Sequence, residues 1–309
     1  MKAALVFPGQ GSQAVGMGQA LARDFPVARE TFDEAAAALG FDLPALCWNG
    51  PAERLELTAY TQPAVLTASL AAFRALQQAT GLEPLLAAGH SLGEYSALAA
   101  AGALPLREAA LLVHRRGQWM QEASPSGEGA MAAVLGLALE AVAEVCREAA
   151  AGQVVVPAND NAPGQIVISG HAEAVERAAA RARERGGKTR RLKVSGPFHT
   201  ELMAPAAAKM KALLCGLAFA PLQFSVIANV DAEPYGGPET MAERLTLQLV
   251  SPVRWRESVL AMARLGAELF LEVGPGTALA GLIARTLPGA TVLPMNDGKH
   301  IAAIERALA

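Results

Sequence analysis

The pentapeptide Gly89-His90-Ser91-Leu92-Gly93 constrains this chain more than any other segment. Before it, Pro84-Leu85-Leu86-Ala87-Ala88 is a short apolar run that suits a buried strand. After it, Glu94 to Gly102 is rich in Ala and Leu and suits a helix. Gly-x-Ser-x-Gly between a strand and a helix is the setting of a nucleophile elbow, in which a strained turn carries the serine clear of the sheet. The two glycines relieve crowding at that turn. The helix that starts after Ser91 aims unpaired N–H groups at any anion formed there, such as a tetrahedral oxyanion. The competing explanation is a chance match, since a chain with 29 glycines uses many as ordinary turn residues.

The flanking pattern supports an α/β fold. Ala3 to Phe7 reads as a buried first strand, followed by a loop from Pro8 to Gln13 and helical patterning through Leu39. Pro63 to Gly81 and Leu106 to Glu122 are further helical stretches. Strands separated by helices predict a mostly parallel sheet. Ser124 to Gly129 then breaks the pattern. Beyond it, Ala130–Leu135 reads as strand, Leu139–Ala151 as helix, and Val154–Val156 and Gln165–Ile168 as strands joined by a polar turn at 159–164. Ala172–Arg185 reads as helix and Lys188–Val194 as strand. The order β-α-β-β-α-β is that of a ferredoxin-like unit. The second break comes at Ser195-Gly196-Pro197; Phe224–Val230 and Glu268–Val273 are later strands. The expected architecture is a hydrolase-like α/β catalytic domain over 1–126 and 196–309, with a small ferredoxin-like domain inserted at 127–195.

Composition narrows the function. A length of 309 residues suits one large or two modest domains, and 52% hydrophobic residues supply a sizeable core. A net charge of −3 gives no basic excess to attract nucleic acid. Cys47, Cys146 and Cys215 are too scattered for a disulfide framework or a zinc site, so no metal is expected. No apolar run is long enough to cross a bilayer, and Pro8-Gly9 ends the first apolar stretch too early for a signal peptide. A soluble, cytoplasmic protein without membrane contact is expected, with a monomer as the default.

A serine hydroxyl needs a base to take its proton. Of the five histidines, His90 adjoins Ser91 but should project away from it at a sharp turn. His199 lies in a rigid Gly-Pro-Phe-His loop where the small domain rejoins the large one, a common place for a cleft. Position alone leaves His114, His171 and His300 open. Gly9 to Ala14 formally matches G-x-G-x-x-G/A after a strand, but Pro8 precedes it and only Asp33 stands near the place of a ribose partner. The same loop could instead turn its N–H groups toward Ser91. Arg115-Arg116 lies on an apolar helix, so one of the pair should face inward and need an acidic partner, either structural or a substrate carboxylate. Lys188, Arg190, Arg191 and Lys193 form either a solvated strand face or a docking surface for an acidic partner.

Taken in order, the segments 7–13, 89–95, 115–117 with 120–121, 159–161 with 163–165, 196–199, Gln248 with 252–253, and 272–276 resemble the malonyl-CoA:acyl-carrier-protein transacylases of bacterial fatty-acid synthesis. The resemblance implies that Ser91 carries the malonyl group and that His199 activates it and later protonates the departing thiol. It implies no acidic third member: the backbone carbonyl of Gln248 would orient His199. The N–H groups of Leu92 and Gln10 would form the oxyanion hole, and Arg116 would clamp the malonyl carboxylate with its planar fork. Asn159 and Asn161 would line the cleft in a polar loop, and Phe198 resembles the bulky choice that crowds a methyl-branched acyl group. The implied partners are malonyl-CoA and acyl carrier protein, with no cofactor. Competing expectations are an acyltransferase for methylmalonyl- or acetyl-CoA, an ester hydrolase with an acid between Ser91 and His199, and a scaffold without activity.

Overall fold

The computed structural model describes residues 1–124, 127–194 and 196–309. The domain limits expected at 126 and 195 fall on residues outside this set. Nine strands are present among the described residues: β1 (Ala3–Phe7), β2 (Leu86–Gly89), β3 (Gly129–Leu135), β4 (Val155–Ala162), β5 (Gln165–His171), β6 (Lys188–Arg191), β7 (Ser225–Ile227), β8 (Leu269–Val273) and β9 (Thr291–Met295). They form a five-stranded sheet ordered β7-β2-β1-β8-β9 and a separate four-stranded sheet ordered β4-β5-β3-β6.

All neighbours in the first sheet pair in parallel. Its central strand explains why β1 is apolar at every position. Leu5 and Phe7 enter one core, and Ala4 and Val6 enter a second core on the opposite face with Trp255, Val259 and Ile283. A strand buried on both faces has no solvent side to make polar. The edge strand β9, Thr291-Val292-Leu293-Pro294-Met295, carries an internal proline. At an edge, the missing N–H of Pro294 is tolerated.

The helix before the elbow runs Thr58–Thr80 and contains Pro63, so it starts earlier than its proline suggested. Proline cannot donate to the carbonyl four residues back, that of Ala59. His114 from the Leu106–Glu122 helix donates its Nδ1–H to that oxygen at 2.7 Å, which fills the gap and gives His114 a structural task.

In the second sheet all pairs are antiparallel. The helices Leu139–Ala149 and Ala172–Glu184 bury Val142 and Val175 against Val134, Ile166 and Ile168. The polar turn expected at 159–164 is corrected: β4 continues through Asn159, Asp160 and Asn161 to Ala162, and only Pro163-Gly164 turns. The register slips at 157/159 and 160/162. These polar residues stay in the strand because residues outside the second sheet satisfy them. Val253 N donates to Ala158 O at 2.9 Å, Asp160 N donates to Val253 O at 3.0 Å, and Arg256 pairs with Asp160 at 2.8 Å. One edge of the small sheet is thus pinned against the segment that leads into the Trp255–Arg264 helix, while β6 forms its other edge.

Three chain segments meet at Ser91 with no room for side chains. A Cβ on Gly89 would lie 1.8 Å from the Gly93 carbonyl carbon, and one on Gly93 would lie 2.1 Å from Phe7 O. A Cβ on Gly9 would meet His90 O at 2.4 Å. Asn229, just past β7, staples the elbow: its Oδ1 accepts from Ser91 N and its Nδ2 donates to Gly89 O, both at 2.7 Å.

Two stability predictions follow from this packing. Gly89→Ala drives a methyl into rigid backbone and should cost about 3 kcal/mol or more in urea unfolding. Asn229→Ala strands two buried backbone groups and should cost about 2–5 kcal/mol. Native-like midpoints for both variants would contradict the close packing described.

Candidate active site

Ser91 sits at φ +52°, ψ −103°, immediately before the Leu92–Ala100 helix. His199 also has a positive φ, +60°. Both are conformations that non-glycine residues rarely adopt, and they persist here because neighbouring contacts hold them. Ser91 Oγ donates to His199 Nε2 at 2.8 Å. On the far side of the ring, His199 Nδ1–H donates to Gln248 O at 2.9 Å. A carbonyl can only accept, so Nδ1 carries the proton and Nε2 presents its lone pair to the serine. No carboxylate meets Nδ1, which removes the essential acid that an ordinary hydrolase triad needs. Burial, reinforced by the charge of Arg116, lowers the His199 pKa to about 3, so the ring is neutral at neutral pH.

Arg116 is 1% exposed, although it sits beside the exposed Arg115. Its Nη1 donates to Gln62 Oε1 at 3.0 Å. Its Nη2 donates to Gln248 Oε1 at 2.9 Å and to Ser91 Oγ at 3.2 Å. The Tyr95 ring lies 5.3 Å from the guanidinium carbon, a cation–π contact. The acidic partner expected for an inward arginine is absent as a direct contact: among the described residues no carboxylate pairs with Arg116 within 4.0 Å. Two neutral amides hold it instead, and its Nε has no acceptor in hydrogen-bonding geometry.

A cavity of about 180 Å³ opens onto Ser91 and His199. Its wall brings together Gln10, Leu92, Arg116, Asn159, Asn161 and Phe198, with Leu192 and Val194 from the segment after β6. Gln248 stands behind the wall as the hinge of the hydrogen-bond network. Asn159 and Asn161 reach the cavity from β4 rather than from a loop. His90 turns away from the serine, donating Nε2–H to Asn161 Oδ1 at 2.8 Å against the Trp255 ring. His171 is engaged elsewhere, accepting from Val154 N, and His300 lies at the start of the last helix.

The Gly9–Ala14 loop packs on the elbow instead of opening to a nucleotide. Ser12 folds back to Gly9 O, and Asp33 is occupied by Arg29 on an exposed helix face. The basic run borders one cavity. Arg190, Arg191 and Lys193 all line a second cavity of about 480 Å³, and Arg191 also pairs with Glu176 at 2.9 Å. That cavity shares Gln10, Leu192 and Val194 with the first.

Four supporting residues escaped the sequence reading: Gln62, Glu94, Asn229 and Tyr235. Only Glu94 had a visible signal, a lone carboxylate in the apolar helix that follows the elbow. It is fully buried. Its Oε2 accepts from Gln248 Nε2 at 2.6 Å and Asn229 N at 3.1 Å, and its Oε1 accepts from the Tyr235 hydroxyl. Burial outweighs these bonds and raises its pKa to about 7. Among the described residues no cluster of His, Cys, Asp and Glu could hold a metal ion, and no helix is long and apolar enough to cross a membrane.

Comparison with known proteins matches this arrangement over nearly the full length. The acyl transferase domain model covers residues 4–305. The malonyl CoA-acyl carrier protein transacylase of Escherichia coli (strain K12) is 49% identical over 301 residues, 97% of each chain. The structure of the corresponding transacylase of Coxiella burnetii superposes with a TM-score of 0.98 at 45% identity, covering 100% of this chain and 98% of that one. A malonyl-transacylase solved in complex with a type II PKS acyl-carrier protein superposes at 0.97, also at 45% identity, covering 99% of this chain and 100% of that one. A serine–histidine pair oriented by a carbonyl, a buried arginine at the same hydroxyl, and likeness across the whole chain lead to one conclusion: the chain belongs to the acyl transferase family of malonyl CoA-acyl carrier protein transacylases.

Proposed function

We propose that this chain moves a malonyl group from malonyl-CoA to the phosphopantetheine thiol of acyl carrier protein through a malonyl ester on Ser91, supplying fatty-acid or polyketide chain elongation. The observation that carries this reading is the convergence on one oxygen: Ser91 Oγ lies 2.8 Å from the His199 lone pair and 3.2 Å from Arg116 Nη2. A nucleophile beside an anion clamp suits an acyl group that ends in a carboxylate.

In the first half-reaction His199 Nε2 takes the hydroxyl proton as Ser91 Oγ attacks the thioester carbonyl. The oxyanion forms against the N–H groups of Leu92 and Gln10, both at the cavity wall. Collapse breaks the C–S bond, and His199 returns the proton to the CoA thiolate. In the second half the carrier's thiol gives its proton to His199 and attacks the ester; the same steps then run in reverse, as microscopic reversibility requires. The Gln248 carbonyl keeps the imidazole aimed throughout. Binding of the malonyl carboxylate neutralises Arg116, one of the two main causes of the depressed His199 pKa, so the right substrate makes the base stronger. Asn159 and Asn161 border the acyl group, and Phe198 narrows the cavity against branched acyl chains. No cofactor enters this sequence of steps.

The organisation follows the same reading: a hydrolase-like catalytic domain of 1–126 and 196–309 and a ferredoxin-like domain of 127–195, with the reaction between them. The basic segment that carries Arg190, Arg191 and Lys193 along the larger cavity is the contact for the acidic carrier. Because one chain supplies every proposed group, we take the active form as a monomer, working in the cytoplasm where the proposed substrates are expected.

Intact-mass spectrometry after brief exposure to malonyl-CoA tests the reading. The native chain should gain one malonyl group and lose it to acyl carrier protein, and Ser91→Ala should gain none. An adduct that persists in Ser91→Ala would overturn the assignment. Arg116→Ala should lose about 2–5 kcal/mol in kcat/KM for malonyl-CoA, the cost of stranding one partner of a buried charge pair, and far less for acetyl-CoA. Equal losses on both substrates would sink the clamp.

A further inference from the structure

Gln248 hydrogen-bonds to four residues of the site. Its carbonyl holds His199, its Oε1 accepts from Arg116, and its Nε2 donates both to Ser91 O at 2.9 Å and to Glu94. The side-chain amide therefore bridges a carboxylate and a guanidinium, with the acceptor end toward the cation and the donor end toward the anion. Reversed, the amide would set N–H against N–H at Arg116 and oxygen against oxygen at Glu94 and Ser91. Glu94 is the charged group that enforces the sense.

Glu94 and Arg116 are both buried, yet they do not touch. Direct contact would allow a two-pronged ion pair, and that fork-to-fork geometry is the one a substrate carboxylate needs. An arginine already clasped by a protein carboxylate would have to break that pair to bind an acyl group. An arginine with no counter-charge would be costly to bury. A carboxylate held one amide away meets both requirements.

We infer that Glu94 is a positioning residue for acyl selection: through the Gln248 amide it supplies the counter-charge that keeps Arg116 aimed at Ser91 while leaving the guanidinium free to receive the carboxylate of the acyl group. This rests on the malonyl-transfer reading above. The charged or titratable groups that face Glu94 are Arg116 and Tyr95 from the helices and Tyr235 from the segment after β7. Gln248 and Asn229 complete its surroundings as neutral donors. With its pKa raised to about 7, the carboxylate loses its charge as pH falls through neutrality. His199 titrates much lower, at about 3, so the two groups separate on a pH profile.

The test is Glu94→Gln in the full chain. The new amide is nearly isosteric. Its oxygen can accept from Gln248 and Asn229 and its NH₂ can donate to the Tyr235 oxygen, which leaves the Tyr235 hydroxyl hydrogen as the donor that loses its acceptor. Transfer from malonyl-CoA should fall on the order of 10- to 100-fold, the loss expected for a bond to a charged group, while acetyl-CoA transfer changes far less. The native kcat/KM for malonyl-CoA should decline below a pH of about 7. The variant should lack that limb. Because burial disfavours the ionised carboxylate, the melting temperature of the variant relative to the native chain should rise as pH rises toward about 7, a stability trend opposite to the expected loss of malonyl transfer. Tyr235→Phe gives an independent reading: removing a donor to the carboxylate raises the Glu94 pKa further, so the acid limb should move to higher pH. Equal losses on both acyl groups, an unchanged preference, or an acid limb retained in Glu94→Gln would overturn the inference. A native chain that forms no malonyl ester on Ser91 removes the underlying function and the inference together. A native chain that forms the ester, with a variant of unaltered preference, removes the inference alone.

Discussion

A guanidinium buried to 1% exposure with no carboxylate bonded to it is the arrangement on which the rest of this site depends. Desolvating an unpaired cation is among the most expensive things a fold can do. The structure meets that cost with dispersed groups rather than with one ion pair: the amide oxygens of Gln62 and Gln248, the face of Tyr95, and the field of Glu94 beyond the amide. These groups come from three separate parts of the chain: Gln62, the adjacent Glu94 and Tyr95, and Gln248. The α/β framework must therefore be complete before the arginine can be accommodated.

The same buried charge shapes the titration of its neighbours. His199 is pushed down by burial and by Arg116, while Glu94 is pushed up by burial and only partly held back by its donors. A neutral histidine and a carboxylate near its midpoint thus sit on opposite sides of one glutamine. The opposite shifts share a cause, since burial penalises whichever form is charged. An arriving anion at Arg116 would perturb both, which ties the chemistry of the acyl group to the strength of the base.

The small sheet contributes the opposite wall, and its attachment is asymmetric. β4 is tied down by paired backbone groups at Val253, the Arg256–Asp160 ion pair and the His90–Asn161 bond. β6 is the other edge and borders the larger, basic cavity. Hydrogen-bonded polar residues thus stand next to Ser91, and long cationic side chains line the adjoining cavity.

Local sequence determined the elements whose signal is confined to neighbours along the chain. The apolar run of β1, the strand–glycine–serine–glycine–helix elbow, the Leu106–Glu122 helix and the alternation of the small unit all follow from spacing and turn chemistry. The ordered motifs also single out Ser91, His199 and Arg116. Tertiary structure alone decided the matters in which a distant partner settles the outcome. Asn159 to Asn161 read as a turn because three polar residues in a row rarely sit in a strand; they do so here because Val253, Arg256 and His90 satisfy them from afar. Pro63 sits inside a helix because His114, 51 positions later in the sequence, fills the bond that proline leaves open. The expected acidic partner of Arg116 became an amide bridge to Glu94 for the same reason: hydrogen bonding and counter-charge are accounted for in space, and sequence separation does not limit them.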